Sequence, residues 1–115
     1  MHKIAIIGAG KIGSTIAGLL AGAYEVLVID QSEDALAALD ARPKPATAAL
    51  AIDDPAALAA ALKGCFAVLN AAPYHLTTAV ASAAKAAGAH YLDLTEDVAA
   101  SRVVRDLAKD AKTAF

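Results

Sequence analysis

The chain has a single cysteine, Cys65, so no internal disulfide can staple it. Neither a histidine nor a second cysteine stands near it at metal-ligand spacing. A disulfide scaffold and a zinc site are thereby excluded, and a free buried thiol is the expectation. Charged residues make up only 19% of the sequence and the formal net charge is -2, which leaves no electrostatic footprint for nucleic acid or an anionic membrane. No apolar run approaches the roughly 18 residues needed to cross a bilayer. Met1-His2-Lys3 leads directly into an apolar segment with no space for a signal peptide, so a cytoplasmic location is expected. Internal repeats are absent, and the only compositional bias is alanine enrichment, which suits tight helix packing and helix propensity.

What remains is a compact globular chain of 115 residues with 58% hydrophobic content. That length fits one domain with a real core and is too short for a cofactor domain plus a substrate domain. Strand-like and helix-like segments alternate throughout, the pattern of a parallel sheet covered by helices on both faces. Strands are expected at Lys3 to Ile7, Tyr24 to Ile29, Thr47 to Ile52, Phe66 to Asn70 and His90 to Leu94. The first helix shows Ile12, Ile16, Leu19 and Leu20 at helical spacing, with Gly22 placed to end it in the left-handed conformation. Ser32 is an N-cap for a second helix that buries Leu36 and Leu39 and breaks at Arg42-Pro43-Lys44-Pro45. Asp54-Pro55 supplies a cap and a first-turn proline for a third helix ended by Gly64. A fourth helix runs from Thr77 to Ala87 before Gly88, and a fifth from about Glu96 to Lys112, with Val104, Leu107, Ala108 and Ala111 on one face. Thr113-Ala114-Phe115 could begin the approach to a short sixth strand.

The order of elements predicts a three-layer αβα, Rossmann-type doubly wound sheet with strand order 3-2-1-4-5 and a ligand crevice between strands 1 and 4. At that crevice lies the most informative segment, Ile6-Ile7-Gly8-Ala9-Gly10-Lys11-Ile12-Gly13. Gly8 permits a tight turn off the strand, Gly10 lets backbone approach a pyrophosphate, and Gly13 lets the new helix pack against the strand. The helix start presents N–H groups and the positive end of its dipole, so an anion is stabilised without a cationic side chain and Lys11 is not required as a ligand.

Asp30 stands 22 positions after Gly8 (30 - 8), close to the spacing of about 20 in the dinucleotide fingerprint. Its carboxylate could accept hydrogen bonds from both hydroxyls of an adenosine ribose and would repel a 2'-phosphate. Gln31, Ser32, Glu33 and Asp34 supply no base to reverse that preference. NAD is therefore expected over NADP. The candidate cofactor contacts are Gly8, Ala9, Gly10, Lys11, Ile12, Gly13, Asp30 and Gln31, together with Asp53 toward the adenine and Asn70, Ala71, Ala72 and Pro73 toward the nicotinamide. Asp53 could equally be an ordinary turn residue, and Asn70 a polar strand end before a proline turn. His75, beside the crevice, is the one candidate for proton transfer, since histidine is the side chain suited to that task near neutral pH; its other reading is a plain loop histidine or a helix-start residue. His2 and His90 read as surface and strand-flanking residues. Asp93, Thr95, Glu96 and Asp97 form an acidic cluster on the crevice side, much of which helix capping by Thr95 explains.

Asn70-Ala71-Ala72-Pro73-Tyr74-His75-Leu76 and Tyr91-Leu92-Asp93-Leu94-Thr95-Glu96-Asp97, together with the glycine segment, resemble the N-terminal region of saccharopine dehydrogenase-like and lysine dehydrogenase-like proteins. The resemblance covers essentially the whole chain. It implies oxidation or reduction at a carbon-nitrogen bond of an amino acid or imine, hydride moving between nicotinamide and substrate. It also implies a further domain for substrate binding and dimerisation, hence a homo-oligomer. On that reading the 115 residues are the cofactor domain of a longer protein and are not expected to turn over alone. A nucleotide-sensing module of the potassium-transport regulator type is the alternative, since it also opens with a glycine fingerprint and an acid after strand 2. A stand-alone interaction domain with a vestigial glycine turn is a third.

Overall fold

A computed structural model describes residues 2–39, 44–72, 74–93 and 107. Its centre is a five-stranded sheet of order β3-β2-β1-β4-β5, formed by β1 (Lys3–Ile7), β2 (Glu25–Asp30), β3 (Ala46–Ala49), β4 (Ala67–Asn70) and β5 (His90–Asp93). All four pairings are parallel. The chain builds outward from β1 through β2 to β3, then returns to the other side of β1 for β4 and β5, so the switch point falls between β1 and β4.

Side chains alternate along the strands and divide the core in two. Ala5, Ile7, Leu27, Ile29 and Val68 join Leu58 and Leu62 of α3 (Pro55–Leu62) and Val80, Ala81 and Ala84 of α4 (Thr77–Ala87) in one cluster. Ile6, Val26 and Val28 join Ala17 of α1 (Lys11–Leu20) and Leu36 of α2 (Glu33–Ala37) in the other. This is the expected three-layer arrangement. Alanines let α4 lie close to the sheet and to α3, against which it packs.

Ser32 and Asp54 cap α2 and α3 by accepting from the Ala35 and Ala57 amides at 3.1 and 3.2 Å. Gly22 and Gly88 take positive φ of 91° and 71° where the chain leaves α1 and α4. A 3-10 turn at Tyr74–Leu76 precedes α4, where the sequence suggests a loop at Pro73 and a loop or helix-start position for His75.

Several boundaries and one helix face depart from expectation. β2 runs one residue later than anticipated, and β3 stops at Ala49 instead of reaching Ile52, because its last partner is Asp30, where β2 ends. Ile52 leaves the sheet in a turn and buries its side chain in the larger cluster. On α1, Ile12 and Leu19 are 57% and 76% exposed. The buried stripe is instead Gly13 and Ala17, flanked by half-buried Ile16 and Leu20; close approach of the helix start to the sheet selects small residues over large ones. β4 begins at Ala67, leaving Phe66 just outside it. Of the fifth helix only Leu107 lies among the described residues; it is helical and packs against the larger cluster. The Leu94 to Asp97 segment, the Arg42-Pro43 break and Thr113 to Phe115 lie outside them.

At the end of the sheet away from the crevice, His2 stacks on Phe66 at 4.1 Å between ring centres, and His90 meets the same ring edge-on at 4.8 Å. His2 is exposed and His90 is the first residue of β5, a surface and a strand-flanking position as expected. Cys65 is a free thiol, buried in the larger cluster, and burial pushes its pKa up.

Candidate dinucleotide site

Ile7 of β1, Ile29 of β2 and Asn70 of β4 stand side by side in register, with Asp93 of β5 next to Asn70. The loops leaving these strand ends form the crevice. Gly8 leaves β1 with φ +101°, a backbone conformation that glycine adopts without penalty. A Cβ placed there would stand 3.0 Å from the Ala71 carbonyl oxygen and 3.1 Å from the Ala72 nitrogen. The glycine turn therefore sits directly against the loop that follows β4. At Gly13 the constraint is harder: a Cβ would lie 1.9 Å from the Gly8 carbonyl oxygen. Gly10, the N-cap of α1, has nothing within 4 Å of its Cβ position. The three glycines thus serve a turn, an open approach and a helix contact.

The amides of the first turn of α1 have no carbonyl further up the helix to bond, so they and the helix dipole favour an anion at Gly10. Lys11 and Ile12 are exposed at that start. The Gly8 amide donates to the Ile29 carbonyl at 2.8 Å, and the Ala71 amide to the Ile7 carbonyl at 2.9 Å. These bonds extend the sheet ladder into both loops.

Asp30 closes β2 with a more specific role than its position suggests. One carboxylate oxygen accepts from the Ala9 amide at 2.8 Å and the other from the Ser32 amide at 2.9 Å. The acid binds the glycine loop to the start of α2, and each oxygen keeps a further lone pair for a ligand donor. Beyond it opens a groove of about 530 Å³ lined by Gln31, Ser32, Glu33, Asp34, Ala49, Leu50 and Ala51. Its charged side chains are both acidic. Asp53 is an exposed turn residue outside these walls.

On the other side of the crevice, Asn70 is 3% exposed and both ends of its amide are engaged. Its Oδ1 accepts from the Ala72 amide at 3.0 Å, and its Nδ2 donates to the Tyr91 hydroxyl at 3.0 Å. Tyr91 in turn donates to Asp93 Oδ2 at 2.8 Å. Burial is the main cause that pushes the Tyr91 pKa well above its usual range; the Asn70 bond opposes this and the Asp93 carboxylate adds to it. Residue-by-residue reading overlooks Tyr91. Its signal is a polar pair, Tyr91 and Asp93, spaced by two on a short strand and hence on one face. Ala71 and Ala72 are half-buried, His75 is exposed on the 3-10 turn, and Pro73 lies outside the described residues. Thr77, first residue of α4, is buried, and its hydroxyl has no hydrogen-bond partner among the described residues. Among the described residues no group of acidic, histidine or cysteine side chains could hold a metal ion, and no helix is long and apolar enough to cross a membrane.

Residues 4–114 match the family model of the saccharopine dehydrogenase NADP binding domain. The chain belongs to this family. Membership agrees with the resemblance carried by the Asn70 and Tyr91 segments and does not favour the nucleotide-sensing alternative.

Solved structures agree on the fold. Saccharopine dehydrogenase (L-Glu forming) from Saccharomyces cerevisiae superposes with a TM-score of 0.81 at 20% identity, over 95% of this chain and 24% of that one. The NAD(P)-binding domain of an exopolyphosphatase-related protein from Archaeoglobus fulgidus gives 0.76 at 15% identity, over 100% of this chain and 87% of that one. DesIV, a dTDP-glucose 4,6-dehydratase from Streptomyces venezuelae with NAD and TYD bound, gives 0.62 at 26% identity, over 77% and 38%. This chain therefore spans about a quarter of the yeast enzyme's length. No curated protein matches it by sequence.

Proposed function

We propose that this domain holds NAD(H), in preference to NADP(H), for an oxidoreductase acting on a carbon-nitrogen bond of an amino acid or imine. The family carries the nicotinamide dinucleotide class, although its description specifies NADP. The preference rests on one observation: the Asp30 carboxylate is held by the Ala9 and Ser32 amides beside a groove whose charged side chains are Glu33 and Asp34. A 2'-phosphate would meet these acids with no base among the residues that line the groove, whereas two ribose hydroxyls would find acceptors. DesIV, of like fold, binds NAD.

Gly8, Gly10 and Gly13 would admit the pyrophosphate to the start of α1, with Ala9, Lys11 and Ile12 supplying backbone. The groove with Gln31 would take the adenosine, and Asn70, Ala71, Ala72 and Pro73 would border the nicotinamide. Bound there, the cofactor supplies or accepts hydride. His75 is the candidate for the accompanying proton, and Asp53 a weaker candidate for the adenine. The substrate pocket and the dimer contact would belong to a further domain, as the family resemblance implies.

Parallel calorimetric titrations of the 115-residue chain with NADH, NADPH and ATP test this reading. NADH is expected to bind more tightly than NADPH, and Asp30→Ala to abolish the difference. Tighter NADPH binding would overturn the preference. Tightest binding of ATP, or of nothing by a folded sample, would overturn the cofactor assignment.

A further inference from the structure

Ala72 N–H, Asn70, Tyr91 and Asp93 form a hydrogen-bonded chain whose direction is fixed at both ends. A backbone amide can only donate, so the Asn70 oxygen must face Ala72 and the Asn70 nitrogen must face Tyr91. An ionised carboxylate can only accept, so the single Tyr91 proton goes to Asp93 and the hydroxyl must accept from Asn70. Every donor points the same way, from the loop after β4 toward β5, and such aligned chains strengthen one another in a buried setting. The Ala72 nitrogen held at the head of the chain is one of the atoms against which the glycine turn packs at Gly8. Side chains on two strands thus determine where the crevice wall stands relative to the turn of a third.

We infer that Tyr91 and Asp93 are positioning residues for the nicotinamide half of the cofactor: they lock the Asn70 amide in one orientation and thereby hold the Ala71-Ala72 backbone in place. The inference rests on the cofactor reading above. The adenosine half, served by Gly10, Asp30 and the groove along β2 and β3, lies on the other side of β1 and does not use this chain. The two halves are consequently separable.

The test compares two probes. NADH spans the whole crevice, whereas ADP carries the adenosine and pyrophosphate and lacks the nicotinamide half. In the intact 115-residue chain, Tyr91→Phe, which removes both bonds of the hydroxyl, and Asp93→Ala, which removes its acceptor, are each expected to weaken NADH binding about tenfold or more, while ADP binding stays within about twofold. Hydrogen exchange at the Ala72 amide, followed by NMR without ligand, should quicken in both variants while the amides of α1 keep their protection. Equal losses for NADH and ADP, or unchanged Ala72 exchange, would overturn the positioning role and leave the cofactor reading standing. Failure of the unaltered chain to bind NADH would overturn both.

Discussion

Around the glycine turn, on the β2 side of the crevice, the chain meets its ligand space with backbone and the Asp30 carboxylate. Gly8, Gly10 and Gly13 contribute no side chains, and Asp30 arranges amides around the opening. On the β5 side the same kind of strand end is occupied by a network of three side chains, buried Asn70 and Tyr91 and half-buried Asp93. The first region works by leaving space, so it fails when an atom is added. The second works by filling space with matched polar groups, and it fails when one is removed. Both are built on adjacent strands in register, so the difference lies in what the strand ends carry: a positive-φ glycine turn in the first and matched polar side chains in the second.

Gly13→Ala strikes the first region hardest. Its new Cβ would stand 1.9 Å from the Gly8 carbonyl oxygen, and overpacking against rigid backbone should cost about 3 kcal/mol or more in urea unfolding, with nucleotide binding lost as α1 is displaced. Asn70→Leu strikes the second. It keeps the branched shape but leaves the Ala72 amide without its acceptor and takes the Asn70 donor from Tyr91, which still donates to Asp93, and a loss of about 2 kcal/mol is expected in the same measurement.

Alkaline pH probes the β5 network and the core behind it without mutation. The folded-state pKa values of Cys65 and Tyr91 are both raised, so the native protein keeps protons that the unfolded chain gives up. Their stabilisation is fully present below the unfolded value near about 8.5 for cysteine and shrinks as pH rises past it, with a second decline beginning near about 10 for tyrosine. Denaturant unfolding followed from pH 8 to 11 should show both declines, and Tyr91→Phe should remove only the second; a flat profile would contradict the burial of both groups. The smallest effect on stability belongs to Gly10→Ala. With φ at -71° and nothing within 4 Å, it should change unfolding by less than about 0.5 kcal/mol yet weaken ADP and NADH together, since the methyl would stand where a pyrophosphate must approach.

The same contrast explains what could be read from the residues. Glycine needs are local: a turn, a helix start and a left-handed cap each concern neighbouring positions, so Gly8, Gly10, Gly13, Gly22 and Gly88 are legible in order along the chain. Alternation of strands and helices made the sheet order legible too. Spacing located Asp30 at a strand end, but its bond to Ala9 crosses 21 positions and depends on how β1 and β2 align. Asn70 and Tyr91 meet only because Asn70 pairs with Asp93 in the register of β4 and β5, and a slip of one residue would send Tyr91 to the opposite face. Ile12 and Leu19 misled for a related reason. Hydrophobic spacing marks the bulkiest stripe of a helix, whereas contact with the glycine turn demanded the smallest.

Cys65 has a practical consequence of another kind. The chain contains one cysteine and no tryptophan, so the usual optical signal of unfolding is missing, but the thiol is buried among core side chains, and that burial raises its pKa and favours the unreactive protonated form. A thiol reagent can reach it only when the core parts. The rate at which one equivalent of reagent is consumed therefore clocks the opening of the α3, α4 and β4 side of the sheet, and any ligand that closes the crevice should slow that clock in proportion to its occupancy.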